Sequence, residues 1–153
     1  GNREVYVDEL NRYLTVHPQT LFIATANKGR QHTGAYHMDF ALEDRFQEIR
    51  LYLPPEPVIA DILQERYSIR KQDAETIARV TVKLDEMYDQ DLLTKTMGLR
   101  PALAAGALVG KGNNMMTALR YAFVYQYPMD ALENEQTLAL QAIQGMVDAD
   151  VFV

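Results

Sequence analysis

The sequence Leu21-Phe22-Ile23-Ala24-Thr25-Ala26-Asn27 decides how the first part of the chain is interpreted. Its first three residues form a continuous apolar run, which is typical of a short strand in a parallel sheet covered on both faces. Thr25 and Asn27 follow at the end of this predicted strand, where open α/β sheets bind their ligands. Asn27 is therefore a candidate site residue. The alternative is that its amide only caps the turn at Lys28-Gly29.

A glycine-containing loop and a second apolar run follow this strand. Gly29 and Gly34 break the extended structure, and the pattern of residues 40–46 predicts a short helix whose end presents Arg45. A second strand is predicted over Ile49–Leu53. Arg45 is a candidate site residue because it stands exposed ahead of that strand. The alternative is an exposed ion pair with Glu43 or Asp44, which contributes little to stability.

Together these residues resemble the second half of an AAA+ ATPase core, in the branch of the MoxR, cobalt-chelatase and dynein/midasin-like proteins. In that branch the strand that matches 24–27 ends on the sensor 1 residue, and the element that matches Asp44-Arg45-Phe46 carries an arginine finger. The stretch 5–18 resembles the hairpin that precedes the sensor 1 strand. The resemblance implies that Asn27 orients the attacking water and that Arg45 reaches the nucleotide of a neighbouring subunit. Arg30 is the alternative finger.

The chain contains no complete phosphate-binding loop. The segment 106–112 comes nearest, but its glycines are one residue too close and Gly112 stands where a magnesium-binding hydroxyl is needed. A helix C-cap at Gly110 and Gly112 is the favoured interpretation. The segment 5–9 has the outline of a Walker B strand ending in Asp-Glu. It precedes Asn27 too closely for the intervening helix, so a hairpin is predicted there instead.

Composition and charge narrow the class of protein. The chain has 153 residues, a net charge of −6 and no cysteine, so a disulfide framework and a thiolate metal site are excluded. His32 and His37 lack the spacing of ligands on one helix face, and no metal site is predicted. The acidity argues against nucleic-acid binding, which depends on Lys and Arg. No apolar run approaches the ~18 residues of a membrane span, and a cytoplasmic protein without membrane contact is expected.

A proline-rich stretch, Pro54-Pro55-Glu56-Pro57, separates two predicted domains. Residues 1–53 are predicted to form the C-terminal part of an AAA+ α/β core, and residues 54–153 an all-α lid. The fold class is therefore α/β, a remnant of a nucleotide-binding core followed by a helical bundle, and predominantly helical. Apolar residues at helical spacing predict five helices in the lid. Asp73 is expected to cap the long second one, and Leu138 to lie on the apolar face of the last.

Arg100 is the candidate site residue of the lid. It precedes Pro101, which suits the first turn of a helix. A cation there is unfavourable to the helix dipole, so its position requires another explanation. The resemblance implies sensor 2, which contacts the γ-phosphate from the same subunit. Leu99 departs from the serine that the family more often has before this arginine, and the alternative is a surface arginine at a helix start.

The resemblance implies a function for a larger assembly. It implies the C-terminal portion of an ATP- and magnesium-dependent motor that forms a homo-oligomeric ring and remodels proteins or inserts metals. The chain alone, without the P-loop and the magnesium-binding acid, is expected to be inactive. The expected partner is the missing N-terminal half of the core or a second chain. The alternative is a non-enzymatic interaction module that retains the fold, and the client protein is not predicted.

The resemblance also implies a gap in the sheet. In AAA+ proteins the strand that bears the P-loop lies between the sensor 1 strand and the strand after the arginine finger. Strands at 20–26 and 49–53 are therefore expected to flank a vacant position. They are expected to be completed by another polypeptide or by strand exchange, or to rearrange.

Overall fold

The structure is a computed structural model, and it describes residues 3–25, 45–129 and 134–151. The chain divides into two units, Gly1–Met38 and Asp39–Val153. Within the described residues, secondary structure consists of one two-stranded sheet, five α-helices and two short 3-10 helices. The prediction of a predominantly helical chain with five helices after the prolines is confirmed.

The first unit contains an antiparallel hairpin of two strands, β1 (Glu4–Val7) and β2 (Arg12–Thr15). A 3-10 helix, Asp8–Leu10, and Asn11 in the left-handed conformation (φ 46°) connect them. The rings of Tyr6 and Tyr13, which are directly opposite each other, lie 5.0 Å apart between centroids. The predicted hairpin is confirmed, and the Walker B interpretation of this segment is excluded because the apolar residues belong to a two-stranded ribbon.

The two strands predicted after the hairpin are not strands in the described residues. Residues 21–25 and 47–55 have no regular secondary structure, and Ala26 lies outside the described part. Leu21 and Ile23 are 79% and 83% exposed, and Leu51 is 92% exposed. A strand requires a neighbour to accept and donate its backbone hydrogen bonds, and no such neighbour stands beside either segment in the described chain.

The second unit is a bundle of five helices, α1 (Glu56–Tyr67), α2 (Lys71–Asp89), α3 (Leu99–Gly110), α4 (Met115–Ala122) and α5 (Glu135–Val151). The 3-10 helix Val124–Gln126 follows α4. Helix α2 packs against α1, α3 and α5. The largest side chains of the core are Ile59, Leu63, Ile77, Leu84, Met97, Leu119, Phe123 and Ile143, all fully buried. No described helix is both long and apolar enough to cross a bilayer.

Two details of the helices correct the prediction. Asp73 was expected to cap α2, but the N-cap is Arg70, and Asp73 instead accepts hydrogen bonds of 2.8 and 2.9 Å from the Arg70 guanidinium. In α5 the buried apolar residues are Ala139 and Ile143, whereas Leu138, predicted to lie on the apolar face, is 41% exposed. The buried face is rotated by one residue because apolar residues occur on more than one side of this helix, and packing against α2 selects among them.

The end of α3 confirms the helix termination predicted at Gly112, but the C-cap itself is Lys111 and Gly110 is the last residue of the helix. The amide of Gly112 donates to the carbonyl of Val109 (2.8 Å) and that of Asn113 to Leu108 (3.1 Å), which together form a Schellman motif. Gly112 adopts φ +85°, a conformation that favours glycine. Gly112 therefore terminates the helix, whereas Gly106 and Gly110 lie within it, and the segment is not a loop between a strand and a helix as a P-loop requires.

Candidate functional site

Arg100 is the second residue of α3 and is exposed. Pro101 occupies the first turn, as predicted, and the N-cap Gly98 offers no side chain to the first amides of the helix. The buried face of α3 is formed by Ala102, Ala105 and Gly106. No hydrogen bond or ion pair joins the Arg100 guanidinium to another described residue. An exposed cation that has no partner in the described part of the chain therefore stands beside free backbone amides, and both the cation and the amides are suited to bind an anion.

The chain immediately before α3 is held at several points. Leu93 and Met97 are 3% and 1% exposed and belong to the hydrophobic core. Between them, Thr94 bonds to Glu135 at the start of α5, and the hydroxyl of Thr96 donates to Asp85 of α2. The segment that leads to Arg100 is thus anchored to two other helices.

Glu135 is a buried carboxylate, with 4% of its surface exposed. Its Oε2 accepts from the Thr94 backbone amide at 3.0 Å, and its Oε1 accepts from the Thr94 hydroxyl at 2.7 Å. Bonds of this kind offset the cost of burying a charge. Sequence reasoning missed this residue: a glutamate in the first turn of a helix is common, and nothing local indicates a partner 41 residues away.

Tyr127 lies close to this carboxylate and is 2% exposed. Its hydroxyl has no hydrogen-bond partner among the described residues. Burial, together with the negative charges of Glu135 and Asp85, raises the pKa of Tyr127 well above its ordinary value. The backbone carbonyl of Tyr127 accepts from the side-chain amide of Gln136 at 2.8 Å, which is a further link to the start of α5.

Of the two site residues predicted in the first part of the chain, Arg45 is among the described residues and Asn27 is not. Arg45 lies in a turn and is exposed, and no hydrogen bond or ion pair links it to another described residue. The helix predicted over 40–46 and its alternative partners Glu43 and Asp44 fall outside the described residues, apart from Arg45 and Phe46. Asn27 and Arg30 also lie outside them.

A cleft between α1 and α2 has a volume of about 280 Å³ and was not predicted. Its charged lining residues are Glu56, Asp61, Glu75, Lys71 and Arg79. Lys71 is already paired with Glu75, at 3.7 Å between Nζ and Oε1. Carboxylates that outnumber the cations repel phosphates, so this cleft does not suit a nucleotide.

Comparison with known proteins gives a distant similarity. No protein-family model matches the chain. The chain is 29% identical over 118 residues, 77% of its length, to a protein of Thauera aromatica named "Putative chaperone BssE". The chain spans 40% of the length of that relative. It is thus similar to part of a protein whose name refers to a chaperone.

Proposed function

We propose that this chain is the C-terminal portion of an AAA+ ATPase that remodels a client protein or inserts a metal. Arg100 of the lid contacts the γ-phosphate in the same subunit, and Arg45 acts on the nucleotide of a neighbour in a homo-oligomeric ring. Asn27 orients the attacking water. ATP and magnesium bind with the help of the P-loop and the acidic residues of an N-terminal part.

The observation that carries the proposal is the position of Arg100. A guanidinium at the N-terminus of a helix opposes the helix dipole, so an isolated protein gains nothing from it. A phosphate placed there is bound both by the arginine and by the open amides of the first turn. The proline that follows Arg100 and the bundle that surrounds α3 agree with a sensor 2 helix in a lid.

Two further observations support the proposal. Arg45 is exposed and has no partner among the described residues, which suits a finger that acts on another subunit. The relative from Thauera aromatica carries a name that refers to a chaperone, and an ATP-driven remodelling motor performs that kind of work.

Substitution of Arg45 in the full-length protein tests the assignment. We expect Arg45→Ala to leave ATP binding nearly unchanged and to lower the hydrolysis rate by about 10³-fold or more, the scale of an arginine finger. Mixing this variant with a subunit defective only in its P-loop should restore part of the activity, because the intact finger and the intact nucleotide site then come from different subunits. Steady-state phosphate release and equilibrium nucleotide binding provide the two readouts.

Arg50→Ala is the matched control, since Arg50 is an exposed arginine in the same segment that already pairs with Glu48 at 2.8 Å. It should leave both readouts unchanged. Arg30→Ala distinguishes the alternative finger by the same measurements. Loss of nucleotide binding by Arg45→Ala, with no rescue on mixing, would show a structural or same-subunit role. A full-length protein that neither binds nor hydrolyses ATP would instead indicate the interaction module.

A further inference from the structure

The segment between α2 and α3 connects a buried carboxylate to the proposed nucleotide contact. Thr94 lies in this segment six positions before Arg100. Leu93 and Met97, on either side of Thr94, are buried in the core. The other residues of 94–98 are exposed, so the segment is held by these two buried side chains and by the hydrogen bonds of Thr94 and Thr96.

Glu135 holds Thr94 in place through two hydrogen bonds. It is the first residue of α5, and Asn134 before it caps that helix through Oδ1, which accepts from the amide of Thr137 at 3.1 Å. Both carboxylate oxygens of Glu135 are engaged by one residue, through the amide and the hydroxyl of Thr94. Two bonds to the same partner restrict its orientation as well as its distance.

The bonds join elements that are distant in sequence. Thr94 and Glu135 are 41 residues apart, and α5 otherwise packs on α2 and α4 rather than on α3. A displacement of the start of α5 would be transmitted to Thr94, and through residues 95–98, which the buried Met97 anchors in the core, to the start of α3. The contact at Thr96 and Asp85 adds a second link, to α2.

We propose that Glu135 is a positioning residue for Arg100, which it orients through Thr94, so that the position of the last helix and the binding of a nucleotide phosphate are coupled. This inference rests on the proposed role of Arg100. Glu135 itself does not touch the nucleotide. Its effect is to hold the start of α3 so that the Arg100 side chain is in the geometry that binds an anion, which lowers the ordering cost of binding.

The first experiment measures amide hydrogen exchange in the full-length protein without nucleotide. Thr94→Val preserves the shape of the side chain and removes only the hydroxyl donor. We expect the amide of Thr94, which donates to Glu135, to exchange about tenfold faster, the scale of a hydrogen bond to a charged group. Glu135→Gln, which replaces one acceptor oxygen by an NH₂ group, should have the same effect. Thr137→Val, on the exposed side of α5, is the matched control and should leave this amide unchanged.

The second experiment measures the affinity for Mg-ATP of the same variants with and without Arg100→Ala. We expect Thr94→Val to weaken binding about three- to tenfold when Arg100 is present and to have no effect when it is replaced, since the coupling acts through that side chain. Thermal unfolding gives the structural contribution, which should be the same in both backgrounds.

The outcomes separate the two proposals. If exchange accelerates and Arg100→Ala weakens binding, but Thr94→Val does not, the positioning role is wrong and the role of Arg100 stands. If Arg100→Ala leaves affinity unchanged, both proposals are wrong. Unchanged exchange in Thr94→Val and in Glu135→Gln also overturns the positioning role.

Discussion

At the residue scale, the contrast between Arg100 and Glu135 is informative. Arg100 is exposed and has no partner among the described residues, whereas Glu135 is buried and uses both of its oxygens. A buried charge must be compensated within the fold, while an exposed one is available to a ligand. Arg100 could be found from its sequence because a cation before an early proline is locally anomalous. Glu135 is locally ordinary, and its partner is chosen by tertiary packing.

Tyr127 provides a prediction at this scale. Its hydroxyl is buried without a partner among the described residues, so Tyr127→Phe should preserve the packing and remove an unsatisfied group. We expect the free energy of unfolding at pH 7 to stay the same or rise by about 1 kcal/mol. Tyr125→Phe is the matched control, because Tyr125 is 56% exposed and should show no change. Chemical denaturation measures both, and a loss of about 2 kcal/mol or more in Tyr127→Phe would reveal a hydrogen bond that the structure does not contain.

The raised pKa of Tyr127 also predicts how the free energy of unfolding changes at alkaline pH. The pKa of Tyr127 is raised in the folded state, so above about pH 10 the unfolded chain loses the phenolic proton while the folded chain retains it. The folded state then binds more protons, and stability falls as pH rises through this range. Tyr127→Phe should therefore lose less stability than the unsubstituted protein between about pH 9 and pH 11. Parallel declines in the two proteins would mean that Tyr127 ionises normally.

At the scale of elements, the contact between α1 and α3 depends on the absence of a side chain. A Cβ atom at Gly106 would lie 2.7 Å from Leu63 Cδ2 and 2.9 Å from Tyr67 Cδ2. Leu63 is fully buried, so it cannot move aside into solvent. The Ala-rich composition of 99–109 is typical of a helix that packs closely against its neighbours. Which glycine makes the closest approach was decided by the position of α1.

Gly106→Ala should consequently destabilise the bundle. We expect a loss of about 1–3 kcal/mol, the usual cost of overpacking a core. Gly145→Ala is a matched control in α5, where nothing lies within 4 Å of the added methyl group. This change should stabilise the protein by about 0.5–1 kcal/mol through helix propensity. Urea denaturation measures the free energy of unfolding of both variants. Equal changes in the two variants would show that α1 moves away from α3 without cost.

At the scale of the whole molecule, two apolar segments remain exposed. Residues 21–23 and 49–52 contain six of the large hydrophobic side chains that the described chain leaves exposed: Leu21, Phe22, Ile23, Ile49, Leu51 and Tyr52. The helical bundle buries a core of its own apolar residues, but these segments have no strand to pair with in the described residues. Exposed apolar segments of this kind are sites of association.

Amide exchange tests whether another polypeptide completes these segments. In the 153-residue chain alone, we expect the amides of 21–25 and 49–53 to exchange rapidly while the core of α2 is protected. In the full-length protein the same amides should be protected, because a neighbouring strand then pairs with them. Strong protection in a monomer of the chain alone would contradict the idea of a vacant strand position.

The sequence by itself determined what depends on local interactions. Apolar spacing predicted five helices, Pro101 predicted the start of α3, and Gly112 predicted its end, because periodicity, proline and left-handed glycine act within a few residues. The tertiary structure alone decided that the Tyr127 hydroxyl has no partner among the described residues, that Thr94 meets Glu135, and that Leu21 and Leu51 are exposed. These features depend on which distant segments meet, and a strand-like sequence forms a strand only when a partner satisfies its backbone.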